Sequence, residues 1–376
     1  MRVELPEPSA DERAHSARLA ALIRSEIAAA GGALDFERYM ELALYAPGLG
    51  YYSAGATKFG AAGDFVTAPE LGCVFARCVA RALAPTLRET QGDVLELGPG
   101  SGALAAELLL ELERLGALPA RYRLLERSAD LRARQRDTLQ ARAPHLLPRC
   151  EWLDAPSATG WRGVLLANEV VDALPVRLFA LRDDGVFARA VTAAQDGTFA
   201  WCEQPADEAL IALVERQLGS LRHALPRPYR SEICALLAPW FAEIAANLQQ
   251  GAALFIDYGH ARSDYYAAAR CEGTLRCHYR HRVHDEPLIL PGLQDITAWV
   301  DFDALRAAAT ASGFATESCI TQARFLLEQG LEEVFAAAHA QATDEAQRYR
   351  LAQEVKHLAL PDEMGEAFKV LTLRKR

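Results

Sequence analysis

The sequence predicts an α/β fold whose core is a mostly parallel sheet covered by helices on both faces. Three observations predict it. From residue 93 onward, short apolar runs alternate with helix-patterned segments, the order that builds parallel sheets. A glycine-rich turn, Gly98-Pro99-Gly100-Ser101-Gly102, follows the first of these runs and opens a helix. Near the end, two further strand patterns, around 315 and 368, enclose helical sequence.

The elements follow in order. Leu19, Leu22, Ile23 and Ile27 recur at helical spacing between Ser16 and Ala30, and Gly31-Gly32 stops that helix. A second helix is expected from Asp35, with the Asp35 side chain as its cap. Between Pro47 and Pro69, Gly48, Gly50, Gly55, Gly60 and Gly63 crowd around Tyr51, Tyr52, Phe59 and Phe65, which reads either as a connector or as a lid over a ligand. Strands are then expected at Asp93–Leu97, Tyr122–Leu125, Cys150–Leu153 and Gly163–Ala167, with helices after the first two, the second of them over Ala129–Ala141.

Alternation breaks after Pro175. The turns Asp183-Asp184-Gly185 and Gln195-Asp196-Gly197 predict a β meander at the sheet edge, followed by helices over Ala206–Leu221 and Tyr229–Leu248. Gly251–Ile256 supplies a fifth strand. A helix near Phe302–Ser312, a strand near Ala315–Thr321, a helical tail and a last strand at Phe368–Leu373 complete the pattern. The expected organisation is a helical extension with a glycine-rich lid over 1–90 and a main domain over 91–376, with insertions at about 176–250 and 261–300.

Composition bounds the function. With 51% apolar and 24% charged residues, the 376-residue chain is an ordinary globular protein. A formal net charge of -10 with scattered arginines argues against nucleic acid as a partner. Eight cysteines without a CxxC pair read as reduced, mostly buried thiols. No apolar run approaches a membrane span, so no membrane insertion is expected; the acidic start, with Glu4, Glu7, Asp11 and Glu12, resembles neither a secretory signal nor a mitochondrial presequence. The expected compartment is a bacterial-type cytoplasm.

The glycine turn carries the first chemical signal. Missing side chains let a ligand approach the backbone, and the helix start offers free N–H groups. Glu126, at the end of the second strand, is placed to accept hydrogen bonds from two ribose hydroxyls, or else serves as a helix N-terminal acid. These features alone admit NAD as well as S-adenosylmethionine, because Gly98-x-Gly100-x-x-Ala103 also satisfies the loose dinucleotide pattern. The third glycine at 102 and the acid at 96 favour the second cofactor: the loop resembles the first motif of class I methyltransferases. The closing strand pair resembles the end of that Rossmann-like fold, in which the last strand inserts antiparallel.

Further motifs narrow the resemblance. Gly63-Asp64-Phe65-Val66-Thr67-Ala68-Pro69-Glu70, the glycine loop, Asn168-Glu169-Val170-Val171-Asp172-Ala173-Leu174-Pro175-Val176, Asp257-Tyr258-Gly259, Asp295-Ile296-Thr297-Ala298-Trp299-Val300-Asp301-Phe302 and Met364-Gly365-Glu366-Ala367-Phe368-Lys369-Val370 stand in the order seen in MidA-like methyltransferases. The resemblance runs from about Tyr39 to Leu373. Trp299 departs from it, since the family often has His there, and position 299 is assigned no essential chemistry.

The resemblance implies S-adenosylmethionine as cofactor, with Gly98, Gly100 and Gly102 against its methionine part, Glu126 on the ribose and Asp154 near the adenine. It makes Asp64 and Thr67 candidates for closing the pocket and turns the early glycine-rich segment into a lid. The family's activity, arginine N-methylation of a respiratory complex I subunit, makes a protein arginine the leading acceptor. Asn168, Glu169 and Asp172 follow the fourth strand, the edge where class I methyltransferases place the acceptor, and they are the candidate catalytic residues; helix capping is their alternative role. A cofactor-binding assembly chaperone that grips a partner protein is the rival reading, with an NAD oxidoreductase third. A homodimer is compatible with the sequence. Cys277, His278, His281 and His284 have metal-like spacing, but the adjacent Arg280 and Arg282 repel a cation, so no metal is expected and a solvated or substrate-facing loop is preferred.

Overall fold

The computed structural model describes residues 5–53 and 68–376. Its central sheet contains β1 (Asp93–Leu97), β2 (Tyr122–Leu125), β3 (Cys150–Leu153), β4 (Trp161–Asn168), β5 (Leu248–His260), β6 (Ala315–Thr321) and β7 (Phe368–Lys375). They lie in the order β6-β7-β5-β4-β1-β2-β3. All neighbours from β5 to β3 are parallel, whereas β7 runs antiparallel to both β5 and β6. This is the class I methyltransferase arrangement the sequence predicts. Because the connections from β1 and β4 leave in opposite directions, a crevice opens at the carboxyl ends of these strands.

Alternating side chains explain why the strands are apolar throughout. Val94, Leu124, Val164, Leu166 and Leu254 face one core with the helices α3 (Val74–Thr90) and α4 (Ala103–Arg114), beneath a cover that includes Leu326 and Leu358 of the C-terminal helices. Leu95, Leu165, Phe255 and Leu371 face the opposite core with Phe241, Ile244, Leu305 and Phe314. Since α3 is built into the sheet's own core, the catalytic unit begins before residue 91, contrary to the boundary expected from sequence.

The N-terminal helices α1 (Ala10–Ala29) and α2 (Phe36–Tyr45) share a further core with both insertions, through Leu19, Ile23, Tyr39, Leu178, Val191, Cys277 and Ile296. The meander, Arg177–Arg182, Gly185–Ala193 and Phe199–Pro205, forms where its two turns predict. It does not extend the central sheet. Instead it joins Leu34–Asp35 and Tyr229–Ile233 in a separate antiparallel sheet. The first and second insertions and the N-terminus therefore make one lobe over the carboxyl edge of the main sheet.

Several local expectations need correction. Tyr229–Ile233 is a strand, and helix resumes only at Leu237–Ala245; the ladder offered by Arg177–Arg182 outweighs the helical spacing of that segment. Asp35 sits at the N-cap of α2 but makes no side-chain cap bond, because Arg177 takes its carboxylate at 2.8 Å. Of the cysteines only Cys78 and Cys277 are buried, the other six being partly exposed. Among the described residues, no helix is long and apolar enough to cross a membrane.

Candidate active site

The crevice is a cavity of about 1220 Å³ at the ends of β1, β2, β4 and β5, roofed by the second lobe. Pockets for drug-sized ligands span roughly 300–1,000 Å³, so the space accommodates a nucleoside cofactor together with an acceptor side chain. Its cofactor half is built on the glycine loop. Gly98, Gly100 and Gly102 have φ of +56°, +53° and +82°, values that disfavour any side chain. A Cβ at Gly100 would meet no atom of the described residues within 4 Å, so this position opens toward the cavity and its missing side chain leaves room for a ligand.

Gly102 has a different reason to be glycine. A Cβ there would lie 3.1 Å from the Cα of Gln135 on α5 (Ala129–Arg142), and Gly102 is not part of the cavity wall. Gln135 is fully buried; its amide donates to Gly100 O at 2.9 Å and to Glu126 Oε2 at 3.3 Å, while its oxygen accepts from Trp152 Nε1 at 2.8 Å. One side chain thus fixes the loop to the acid at the end of β2. Glu126 lines the cavity, also accepts from the Ser128 N–H at 2.8 Å, and has its pKa raised chiefly by burial. Glu96 forms the floor, where burial pushes its carboxyl up to about 8 against the opposing hydrogen bond from Tyr122 at 2.9 Å. Ser101 donates to Glu70, tying the loop to the segment that follows residue 67.

The other half surrounds the end of β4. Glu169 adopts φ +53°, an uncommon left-handed conformation for a non-glycine residue, while its N–H donates to Ile256 O at 2.9 Å. The turn after it wraps the carboxylate of Asp257, whose Oδ2 accepts the N–H groups of Val170, Val171 and Asp172 at 3.0–3.3 Å. That nest aims the next side chains. Asp172 Oδ2 accepts from Tyr258 Oη at 2.5 Å, and Asn168 Nδ2 donates to Glu169 Oε1 at 3.2 Å. Two acceptor atoms, Asn168 Oδ1 and Asp172 Oδ1, are buried without a hydrogen-bond partner among the described residues. Burial raises Asp172 to about 6, and burial followed by the charge of Asp172 raises Glu169 to about 8.

A second tyrosine–carboxylate pair comes from outside the sheet. Tyr52 Oη donates to Asp295, 2.9 Å from Oδ1 and 3.0 Å from Oδ2, and its ring stacks on Tyr45 at 5.5 Å. Tyr45 in turn donates to Ala173 O at 2.9 Å, and the Ala298 N–H donates to Asp172 O at 2.9 Å. Both elements are therefore anchored at the backbone of residues 172 and 173.

The cavity collects most of the residues singled out from sequence: Gly98, Gly100, Glu126, Asn168, Glu169 and Asp172 all line it. Asp154 does not. Its side chain is 84% exposed and pairs with Arg132, which also donates to Glu126 O at 2.6 Å. Gly102 serves the packing of α4 on α5, as described above, instead of the cavity. Asp64 and Thr67, with Phe59, Phe65 and most of the proposed lid, lie outside the described residues. The sequence assigned no role to Tyr45, Asp257, Tyr258 and Asp295, although the last three stand inside quoted motifs, and it named Tyr52 only among the aromatic residues of the lid segment. Trp299, given no chemistry, lines the cavity and packs on His260 at 4.7 Å. The Cys277–His284 segment is a hairpin in a three-stranded sheet, with Cys277 buried and His278 on the cavity wall, where burial lowers the imidazole to about 4.

The chain is matched in sequence and fold by known proteins. The model of a family described as S-adenosyl-L-methionine-dependent methyltransferase fits residues 78–320. The chain belongs to this family. A crystal structure from Burkholderia thailandensis bound to S-adenosyl-homocysteine superposes with a TM-score of 0.93 at 42% identity, covering 99% of this chain and 95% of the other. The protein arginine methyltransferase NDUFAF7, mitochondrial, of Danio rerio is 28% identical across 92% of this chain and 84% of its own length. The human protein of that name is 27% identical across 91% and 80%. The protein is thus a class I, S-adenosylmethionine-dependent methyltransferase, and the opening at Gly100 beside Glu126 fits that cofactor.

Proposed function

We propose that this methyltransferase modifies the guanidinium of a protein arginine. The observation that carries the reading is the pair of buried acceptor atoms, Asn168 Oδ1 and Asp172 Oδ1, that have no partner among the described residues, beside Glu169 in the cavity wall. Buried acceptors without donors are costly, and a guanidinium brings a planar fork of five donors with a charge that carboxylates match. The described walls support a cation more widely: Glu41, Glu70, Glu169, Asp172, Glu243 and Asp295 stand against Arg127 and Arg276. The relatives named protein arginine methyltransferase support the same acceptor.

When bound, S-adenosylmethionine supplies a methyl group on a sulfonium centre, open to in-line displacement. Asn168 and Glu169 hold the acceptor's N–H groups, so that one nitrogen faces the methyl donor. Glu169, raised by burial and by the charge of Asp172, is drawn toward its carboxylate form by the arriving cation and orients it. Asp172, ionised at neutral pH, receives the proton that the acceptor nitrogen releases. Tyr258 and Asp257 position Asp172 and touch no reacting atom.

A respiratory complex I-type subunit is the first candidate acceptor, on the strength of the motif resemblance, and a cytoplasmic location rests on the sequence features alone. The rival is an assembly factor that grips its partner with methylation secondary. Single-turnover transfer to a partner recovered with the protein decides between them. Stoichiometric methylation within one turnover supports an enzyme; a tight complex that stays unmethylated supports the assembly factor.

A further inference from the structure

A buried carboxylate with no part in the transfer step outlined above holds one wall of the cavity in place. Glu232 is only 1% exposed and lies on the strand Tyr229–Ile233 of the first insertion. Its Oε1 accepts the Thr274 N–H at 2.9 Å, Thr274 Oγ1 at 2.6 Å and Tyr265 Oη at 2.8 Å. A Cβ at Gly273, whose φ is +82°, would collide with Glu232 Oε2, so glycine there lets the chain close on the carboxylate. The Thr274 hydroxyl donates to Glu232 and keeps its lone pairs, one of which accepts the Trp299 N–H at 3.0 Å. The neighbouring Ala298 N–H donates to Asp172 O at 2.9 Å. Residues 298 and 299 are therefore strapped between Thr274 and the acceptor edge. The half-buried Trp299 ring lines the cavity and meets Tyr258 edge-on at 6.5 Å, the tyrosine that donates to Asp172. It also packs on His260 at 4.7 Å, and Arg270, bonded to His260 at 2.8 Å, lies 5.6 Å from the ring centre, so this indole already carries one guanidinium.

We propose that Trp299 is a specificity-determining residue of the acceptor subsite, its indole forming the wall on which the planar arginine cation lies, with Thr274 and Glu232 positioning it. The inference rests on the arginine reading above and deepens it. Trp is the best aromatic partner for a cation, and a guanidinium, being flat, stacks on its ring. The indole thus attracts the cation through its plane while Asp172 and Glu169 accept N–H groups at its edge. Tyr258 joins the two devices, since it touches the indole and bonds Asp172. Thr274 and Glu232 touch no acceptor atom; they fix the backbone at position 299 and are positioning residues. Through them the two insertions shape a site whose acids stand on the central sheet.

The test uses the full-length protein saturated with adenosylhomocysteine, titrated calorimetrically with N-acetyl-arginine methylamide and with N-acetyl-citrulline methylamide, its uncharged near-isostere. The unaltered protein should prefer the arginine compound. Trp299→Leu should weaken arginine binding by about five- to thirtyfold and citrulline binding by about twofold, narrowing the preference, whereas Trp299→Phe keeps a ring and should lose about threefold. Thr274→Val, nearly isosteric, removes the acceptor of the Trp299 N–H and should show a smaller loss of the same kind, which Thr274→Ser restores; this pair serves as the reading if Trp299→Leu fails to fold. Affinity for adenosylhomocysteine should hold within about twofold in every variant. Parental arginine affinity in Trp299→Leu would overturn the inference, as would equal losses for arginine and citrulline, which would make the indole a packing group. Thr274→Val at parental affinity would overturn the positioning roles. Those results leave the arginine reading standing. An unaltered protein that binds citrulline as tightly as arginine would overturn the arginine reading, and this inference with it.

Discussion

Replacing Asp172 with Asn probes the proposed chemistry most sharply, because the change is nearly isosteric. The Asn oxygen can still accept from Tyr258 Oη, now 2.5 Å from Asp172 Oδ2, and the Asp257 nest binds backbone N–H groups that the substitution leaves in place. What disappears is a charge and a proton acceptor. A hydrogen bond to a charged partner is worth about 1.5–3 kcal/mol, or roughly 10- to 150-fold, and a general base contributes roughly 10²–10⁴-fold. These contributions overlap in one side chain, so kcat/KM for methyl transfer should fall by about 100-fold or more. Affinity for adenosylhomocysteine should hold within about twofold, since the glycine loop and Glu126 lie on other strands. The pH profile adds a separate signature. Burial raises Asp172 to about 6, so its carboxylate accepts a proton only as pH climbs through that value. Accordingly kcat/KM should rise through about pH 6 in the unaltered enzyme, and Asp172→Asn should lack that limb. Stopped-flow or quenched single-turnover assays across pH 5–9 measure both. A variant with the parental rate and the same rising limb would refute the proton-acceptor role.

Other predictions concern the cofactor half and the fold. Gly100→Val should abolish calorimetric binding of adenosylmethionine and adenosylhomocysteine while circular dichroism stays unchanged, because the added side chain projects into open cavity at a φ of +53°; unchanged affinity would displace the site. Gln135→Leu keeps the packing volume near Gly102 but strands Gly100 O and Trp152 Nε1, and should weaken the cofactor by about 1–3 kcal/mol, with parental affinity counting against the tether. Glu354, whose Oε1 accepts the Val74 N–H at 2.6 Å and the Phe75 N–H at 3.3 Å, has its carboxyl raised to about 7, chiefly by burial. The folded state therefore holds a proton that the unfolded chain has already released above about pH 4.5, and this contribution to stability is lost as pH rises from there through about 7. Thermal melts of Glu354→Gln should gain on the unaltered protein across that window; a pH-independent difference would show that Glu354 does not titrate there.

Much of this architecture was legible because parallel strands report themselves locally. Val94 and Leu95 face opposite cores, so the strand is apolar in sequence for the same reason that it is central in space. The glycine loop and Glu126 were equally legible, since a strand-to-helix turn confines both to one neighbourhood. Legibility failed where tertiary pairing decides. Tyr229–Ile233 shows no clear strand period and becomes one only because Arg177–Arg182 offers a ladder. Asp154 follows β3 as expected, yet its carboxylate pairs with Arg132 on the preceding helix, α5, and does not line the cavity. The acceptor wall was half visible: Asn168, Glu169 and Asp172 share one short segment, whereas Tyr52 and Asp295 stand far apart in the chain and meet only through the lobe that the extension builds with the insertions. Nothing in the residue string announces the left-handed φ of Glu169, which arises from the turn wrapped around Asp257.

The most direct measurement of the central claim is the chemical identity of the methylated residue. Extract from cells lacking this protein is incubated with the purified enzyme and methyl-labelled S-adenosylmethionine, and the labelled protein is isolated and hydrolysed to amino acids for mass spectrometry. The account predicts label in methylarginine of a discrete protein, lost with Gly100→Val and strongly reduced with Asp172→Asn. Label confined to lysine, a carboxylate ester or a small molecule would contradict it.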